Sequence, residues 1–167
     1  MSKCARGVAL DILESPGGFS GASSRLRELD PRDRALAKEL FTGVQRWKML
    51  LDYLVSAFSH RPMKSLSPRV RNALRIGIYQ TLFMGIAAYA AIDSTVKCLK
   101  NKGQRGFANA ILRTIERNSG HVELPFIDFE FEKYASVRYS FPRWIVDRYS
   151  QVFQPDCVLS LMKAQNK

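Results

Sequence analysis

Apolar residues recur along this chain at steps of three and four, and no stretch alternates with the period of two that a half-buried strand needs. Cys4, Val8, Ala9, Ile12 and Leu13 mark a first helix over residues 4 to 14, ended by Pro16-Gly17-Gly18. Asp30-Pro31-Arg32-Asp33 then reads as an N-cap, a proline at the first helical position and an acid at the positive end of the dipole. From it, Leu36, Leu40, Val44, Trp47, Leu51, Leu54 and Phe58 predict one long helix running to Arg61-Pro62, with Gly43 as a local weakness. Ser67-Pro68 is a second cap-and-proline start; Val70, Leu74, Ile78 and Leu82 form the buried stripe that follows, and Gly85 suits the end of that helix. Two more helices are predicted, from about Tyr89 to Lys100 and from about Gln104 to Asn118, the second ending near Gly120.

The rhythm then changes. His121 to Phe131 is an acidic, aromatic, Pro-containing stretch that places a boundary at residue 120, between a domain of residues 1–120 and a linker with helical extension over 121–167. Phe141-Pro142 opens a helix carrying Trp144, Ile145, Arg148 and Phe153, and Pro155-Asp156 opens another that is still running at Lys167. A pattern that stops without a cap is expected of the front part of a longer protein. The predicted class is all-α: a helical bundle with a C-terminal helical extension.

Composition adds mostly exclusions. With 167 residues, 46% hydrophobic, the chain can bury a core without disulfides or metal. Its longest uninterrupted apolar run, Leu82 to Ile92, is far short of the roughly 20 residues of a membrane-spanning helix. No secretory signal precedes the first helix, and Cys4, Cys98 and Cys157 form no CxxC pair, so the expected compartment is the reducing cytoplasm, away from membranes, with no metal site. His60 and His121 belong to no recognisable triad, neither lies near Cys98 in sequence, and each cysteine reads as structural, so no catalytic residue is assigned.

Charge carries the functional signal. Of the net +11, the segment from Arg61 to Arg117 holds +9, eleven Lys and Arg against only Asp93 and Glu116. A field this local favours a polyanion over mere solubility. Arg105, Asn109, Arg113 and Arg117 follow at steps of four, a ridge along one helix whose guanidiniums suit phosphates. The same ridge could be a plain solvated face, and Asn109 could equally be a buried amide tying down a neighbouring backbone. A second series, Arg71, Arg75, Tyr79 and Phe83, runs from cationic to aromatic, so that an unpaired base could stack on Tyr79 while the arginines hold phosphates; Phe83 reads better as core. Lys97, Lys100 and Lys102, with Gly103 and Gly106, supply a basic turn open to phosphates. Reversing the charges of Arg75 and Arg113 together is expected to remove RNA binding and leave the helices intact.

Several segments, in order, carry a resemblance. Asp33-Arg34-Ala35-Leu36-Ala37, Glu39-Leu40, Gly43-Val44, Leu51-Asp52, Val70-Arg71 and Leu74 to Gln80, followed by Ala90 to Val96 and Gly106 to Arg113, resemble the NusB-like fold. The Asn-Ala-Ile-Leu-Arg run ending at Arg113, Arg117, and Tyr139 to Val146 resemble its version in the ribosomal RNA small subunit methyltransferase B (Sun-type) family. That resemblance implies an all-helical RNA-binding domain preceding a cytosine-5 methyltransferase domain that uses S-adenosylmethionine. It further implies small-subunit ribosomal RNA and the chain's own methyltransferase domain as partners, and no cofactor within these residues. The alternatives are an antitermination factor of the free-standing NusB type, which leaves the last 40-odd residues unexplained, and a helical protein-interaction module. Two positions depart from the family: Ala87 or Ala88 stands where a proline is usual, and Ser94 where a glutamate is.

Overall fold

The computed structural model describes residues 4–15, 23–59, 61–118, 124, 125, 127 and 130–166. Ten α-helices and no strand occur among them: α1 (Ala5–Glu14), α2 (Ser23–Arg27), α3 (Pro31–Arg46), α4 (Lys48–Phe58), α5 (Pro68–Leu82), α6 (Ala88–Val96), α7 (Lys102–Asn118), α8 (Phe131–Tyr139), α9 (Arg143–Ser150) and α10 (Pro155–Gln165). The stop at residues 16–18, the two histidines and the end at Gly120 lie outside the described residues. The caps form as their residue types dictate. Asp30 accepts the amides of Arg32 and Asp33, at 2.9 and 3.0 Å, and Ser67 accepts that of Val70. Gly85 takes a left-handed φ of 63° while the Ile86 amide returns to the Gln80 carbonyl at 3.1 Å, closing α5.

Helix α5 lies at the centre, with α1, α3, α4, α6 and α7 packed around it. Every residue from Asn72 to Gln80 is buried, as expected of a helix with neighbours on all sides. Close approach is set by two glycines. A Cβ on Gly77 would lie 2.6 Å from Leu112 on α7, and one on Gly43 would lie 1.9 Å from the ring of Tyr79. Gly43 is therefore the seat of Tyr79 on α3, not a weak point in the helix.

Burial on all sides obliges the polar residues of α5 to find partners inside the bundle. Each reaches a different helix. Arg75 makes a fork to Asp52 on α4, 2.6 Å from Nε to Oδ1 and 2.7 Å from Nη2 to Oδ2, and donates to Asn72 at 2.8 Å. The Tyr79 hydroxyl donates to Glu39 on α3 at 2.5 Å. Burial, then the Glu39 carboxylate, pushes that phenol up to about 12, so it stays a proton donor at neutral pH. Gln80 donates to Thr95 on α6 at 2.8 Å and accepts from Arg6 on α1 at 2.7 Å.

The long helix predicted from Pro31 to Phe58 is broken at Trp47, where φ is −102° and ψ 16°. The Trp47 ring lies 4.6 Å from that of Phe83, and the Leu50 amide, freed by the break, donates to the hydroxyl of Ser140 at 2.9 Å. That serine, left-handed at φ 57°, ends α8, so the extension supplies the missing cap of α4. Helix α8 itself falls where the sequence pattern placed a linker and its aftermath. Its apolar residues point to both sides, because it packs on α4 and also contributes Ala135 to a small second cluster with Val146 of α9 and Val158 and Met162 of α10.

Two outcomes are expected from this packing. Gly43→Ala lowers stability to urea by about 1–3 kcal/mol, and in a Tyr79→Leu background the same change costs less than half as much; equal costs in both backgrounds would refute the contact. Asp52→Ala costs about 2–4 kcal/mol, somewhat below the range for a fully buried pair because the Asp52 side chain is 30% exposed. Combining it with Arg75→Met recovers part of the loss, and an Asp52→Ala protein within 0.5 kcal/mol of the parent, roughly the measurement error, would contradict the assignment.

Candidate nucleic-acid interface

The ten residues singled out for RNA in the sequence divide into two groups. Arg75 and Tyr79 are only 8% and 5% exposed and are committed to Asp52 and Glu39. Neither offers a surface to a base or a phosphate. The cationic-to-aromatic series on α5 thus faces inward: its spacing is that of a core helix, and its polar members are internal ties. Arg71, half-buried, donates to the Met63 carbonyl. Reversing the charge of Arg75 would set a carboxylate against Asp52 and damage the bundle, so the paired reversal with Arg113 does not report on RNA alone. Phe83, read as core, is 36% exposed instead, its ring 5.3 Å from that of Tyr79.

The remaining residues are outside. Lys100, Lys102, Arg105, Arg113 and Arg117 are exposed and Asn109 is half-buried. Along α7, Arg113 Nε donates to the Asn109 side-chain Oδ1 and Arg117 Nε to the Arg113 backbone carbonyl, both at 3.2 Å. These bonds hold the guanidiniums in a row along the helix, each through one nitrogen. Arg105 folds back instead, Nε donating to the Leu99 carbonyl at 2.5 Å, and stiffens the turn between α6 and α7. Asn101 caps α7 by accepting the amides of Gly103 and Gln104, at 2.8 and 3.2 Å. Lys100 and Lys102 thus flank the positive end of a helix, a placement that costs some stability alone and is relieved by an anion.

Packing α1 across the ends of α5 and α6 makes a cleft of about 1010 Å³ that no single stretch of sequence displays. Its lining includes Arg6, Arg69, Lys97, Lys100 and Arg105 against Asp11 and Glu14. Arg69 is tied to Asp11 and, at 3.5 Å, to Glu14. Burial opposes its charge, but the two carboxylates outweigh that and raise its pKa. Ser94 also lines the cleft, its hydroxyl turned back onto the Ala90 carbonyl, so the position holds no carboxylate. Arg105 joins the two features: it lines the cleft and begins the α7 ridge. A smaller neighbouring cleft is lined by Arg61, Gln104 and Phe107, with the Arg61 guanidinium 5.5 Å above the Phe107 ring.

Arg6 was missed in sequence because it lies outside the basic block, and Arg69 because it falls off the step-of-four series. Tyr89 was missed as well. It is 75% exposed and shares a face of α6 with Asp93, in line with Lys97 at the helix's C-cap, at steps of four. Lys97 is paired with Asp93 at 2.7 Å, both well exposed. No group of three metal-ligating side chains occurs among the described residues, and none of their helices is long and apolar enough to cross a membrane.

Comparison with known proteins agrees with this architecture. The chain is 31% identical over 165 residues to Ribosomal RNA small subunit methyltransferase B of Pseudomonas putida, covering 97% of this chain and 36% of that protein. It is 33% identical over 129 residues to the protein of the same name from Pseudomonas syringae pv. tomato, 75% of this chain and 28% of that one. With the Escherichia coli protein of that name the figures are 28% over 144 residues, 84% and 32%. The chain therefore spans about a third of the length of the curated relatives it matches. Residues 6–117, the bundle from α1 through α7 save the first residue of α1 and the last of α7, match the NusB family, and the chain belongs to that family.

Proposed function

We propose that this chain is the RNA-binding N-terminal part of a small-subunit (16S) ribosomal RNA cytosine-5 methyltransferase, acting in the cytoplasm. The observation that carries the reading is the continuity at Arg105 of a basic cleft with an arginine ridge. Together they offer an RNA strand a path from Tyr89 on α6 and Lys97 at its C-cap, past Lys100 and Lys102, to Arg113 and Arg117 at the far end of α7. Fixed guanidiniums and lysines at the turn would hold phosphates, and Tyr89 is the exposed ring on which a base can stack.

The extension supports the methyltransferase reading over a free-standing antitermination factor. Helix α8 is docked on α4 and carries α9 and α10, and the similarity to the P. putida protein runs across nearly the whole chain, through these helices. Trp144 and Val152, 67% and 72% exposed, suit a surface that meets the methyltransferase domain of the full-length protein. S-adenosylmethionine belongs to that domain. Its sulfonium cation does not suit a cleft with five bases and two acids, so we assign no cofactor and no catalysis to this chain.

The test is a pair of charge reversals at exposed sites. Lys97→Glu/Lys100→Glu and Arg113→Glu/Arg117→Glu are each expected to weaken binding to a small-subunit ribosomal RNA hairpin at least tenfold at low salt, with unchanged circular dichroism. Each phosphate that is no longer neutralised reduces the log-log salt slope by roughly 0.7 to 0.9, depending on strandedness. Affinities within twofold of the parent for both variants would overturn the reading.

A further inference from the structure

Two of the three cysteines, distant in sequence, meet in the wall of the cleft. Cys4 Sγ and Cys98 Sγ are 3.6 Å apart across 94 positions of chain. Cys4 is the N-cap of α1 and accepts the Gly7 amide at 3.4 Å; Cys98, just beyond α6, contacts the Ser94 carbonyl at 3.4 Å. Cys157 sits on α10, in the extension. A disulfide needs sulfurs about 2.05 Å apart, so the pair has about 1.5 Å to close. The movement falls on the N-cap residue of α1, extended at φ −97° and ψ 156°; turning its side chain gives up the weak Gly7 cap bond at 3.4 Å and leaves its carbonyl on the Val8 amide at 3.0 Å.

We infer that Cys4 and Cys98 are a dithiol that closes reversibly to a disulfide by exchange with a small anionic disulfide, clipping the start of α1 to the end of α6. The cleft attracts such a reagent, because Arg6, Arg69, Lys97, Lys100 and Arg105 outnumber Asp11 and Glu14 around the sulfurs. Cys4, the exposed partner at the positive end of α1, attacks first. Its thiolate displaces one thiolate from the reagent and forms a mixed disulfide. Cys98 then gives its proton to solvent, its sulfur attacks the Cys4 sulfur, and the second reagent thiolate leaves. The two protein thiols lose two electrons and two protons; the reagent gains both and departs as two thiols.

This order follows from burial. Burial, then the adjacent Cys4, pushes the Cys98 thiol up to about 12, against a weaker opposing pull from Arg69 and Arg6. Cys98 is thus a protonated thiol at neutral pH and does not start the exchange; once Cys4 is held in the mixed disulfide its charge no longer opposes ionisation of Cys98, and the 3.6 Å proximity of the two sulfurs favours the resolving attack. The inference stands apart from the RNA reading, since it needs only the contact between α1 and α6.

The whole chain is treated with oxidised glutathione and its intact mass measured without reductant. The expected product has lost two hydrogens, carries no glutathione, yields a proteolytic fragment joining Cys4 to Cys98, and keeps one titratable thiol, Cys157. Its melting temperature rises by roughly 5–15 °C over the reduced protein and returns on reduction. Cys98→Ser is expected to stop at one glutathione on Cys4. A parent protein that stops at that adduct, keeps three free thiols, or joins Cys157 instead would overturn the inference.

Discussion

A helix surrounded on every side has no solvent face on which to place its polar residues, and α5 carries four of them inside the bundle. Arg75, Tyr79 and Gln80 cannot be left unpaired in a low-dielectric interior, and each bonds to a different neighbour: Asp52 on α4, Glu39 on α3, Thr95 on α6 with Arg6 on α1. Apolar packing alone would tolerate small rotations of the outer helices. The buried bonds do not, because a helix that turned by a fraction of a residue would strand a donor or an acceptor. Gly43 and Gly77 complete the constraint by allowing Tyr79 and Leu112 to approach the backbone.

The surface inherits this order. With α1 and α6 both held by Gln80, their ends stand side by side, and the space between them is the basic cleft. Leu112 packed on Gly77 fixes the rotation of α7, which turns Arg113 and Arg117 outward, one residue and five beyond the buried position. Interior and proposed interface are therefore one design. The residues that would hold RNA are not those that hold the bundle, and the second group determines where the first can be.

Much of the fold was legible because helix caps and apolar spacing are local signals. Asp30-Pro31 and Ser67-Pro68 begin α3 and α5 where the sequence places them. Tertiary effects were not legible. The break at Trp47 depends on Phe83 and on a serine 93 positions later, and α8 is apolar on two sides because α4 packs against it as well as α9 and α10. The site shows the same division. Spacing alone found the α7 ridge, since a step of four on an exposed helix is a surface row. The same step on α5 misled, because period says which residues share a face and not whether that face meets water. Arg6 and Arg69 reach the cleft only through packing, and no local pattern marks them. The pairing of Cys4 with Cys98 is of the same kind, two unremarkable positions joined by the crossing of α1 and α6.

The most direct measurement is a contact map by photo-crosslinking a thiouridine-substituted small-subunit ribosomal RNA hairpin to the chain and sequencing the joined peptides. Crosslinks are expected at Tyr89, around Lys97 to Lys102, and along the Arg105 to Arg117 face of α7, with none at Tyr79. Crosslinks concentrated on α8 to α10, or spread evenly over the surface, would contradict an interface built from the cleft and the ridge.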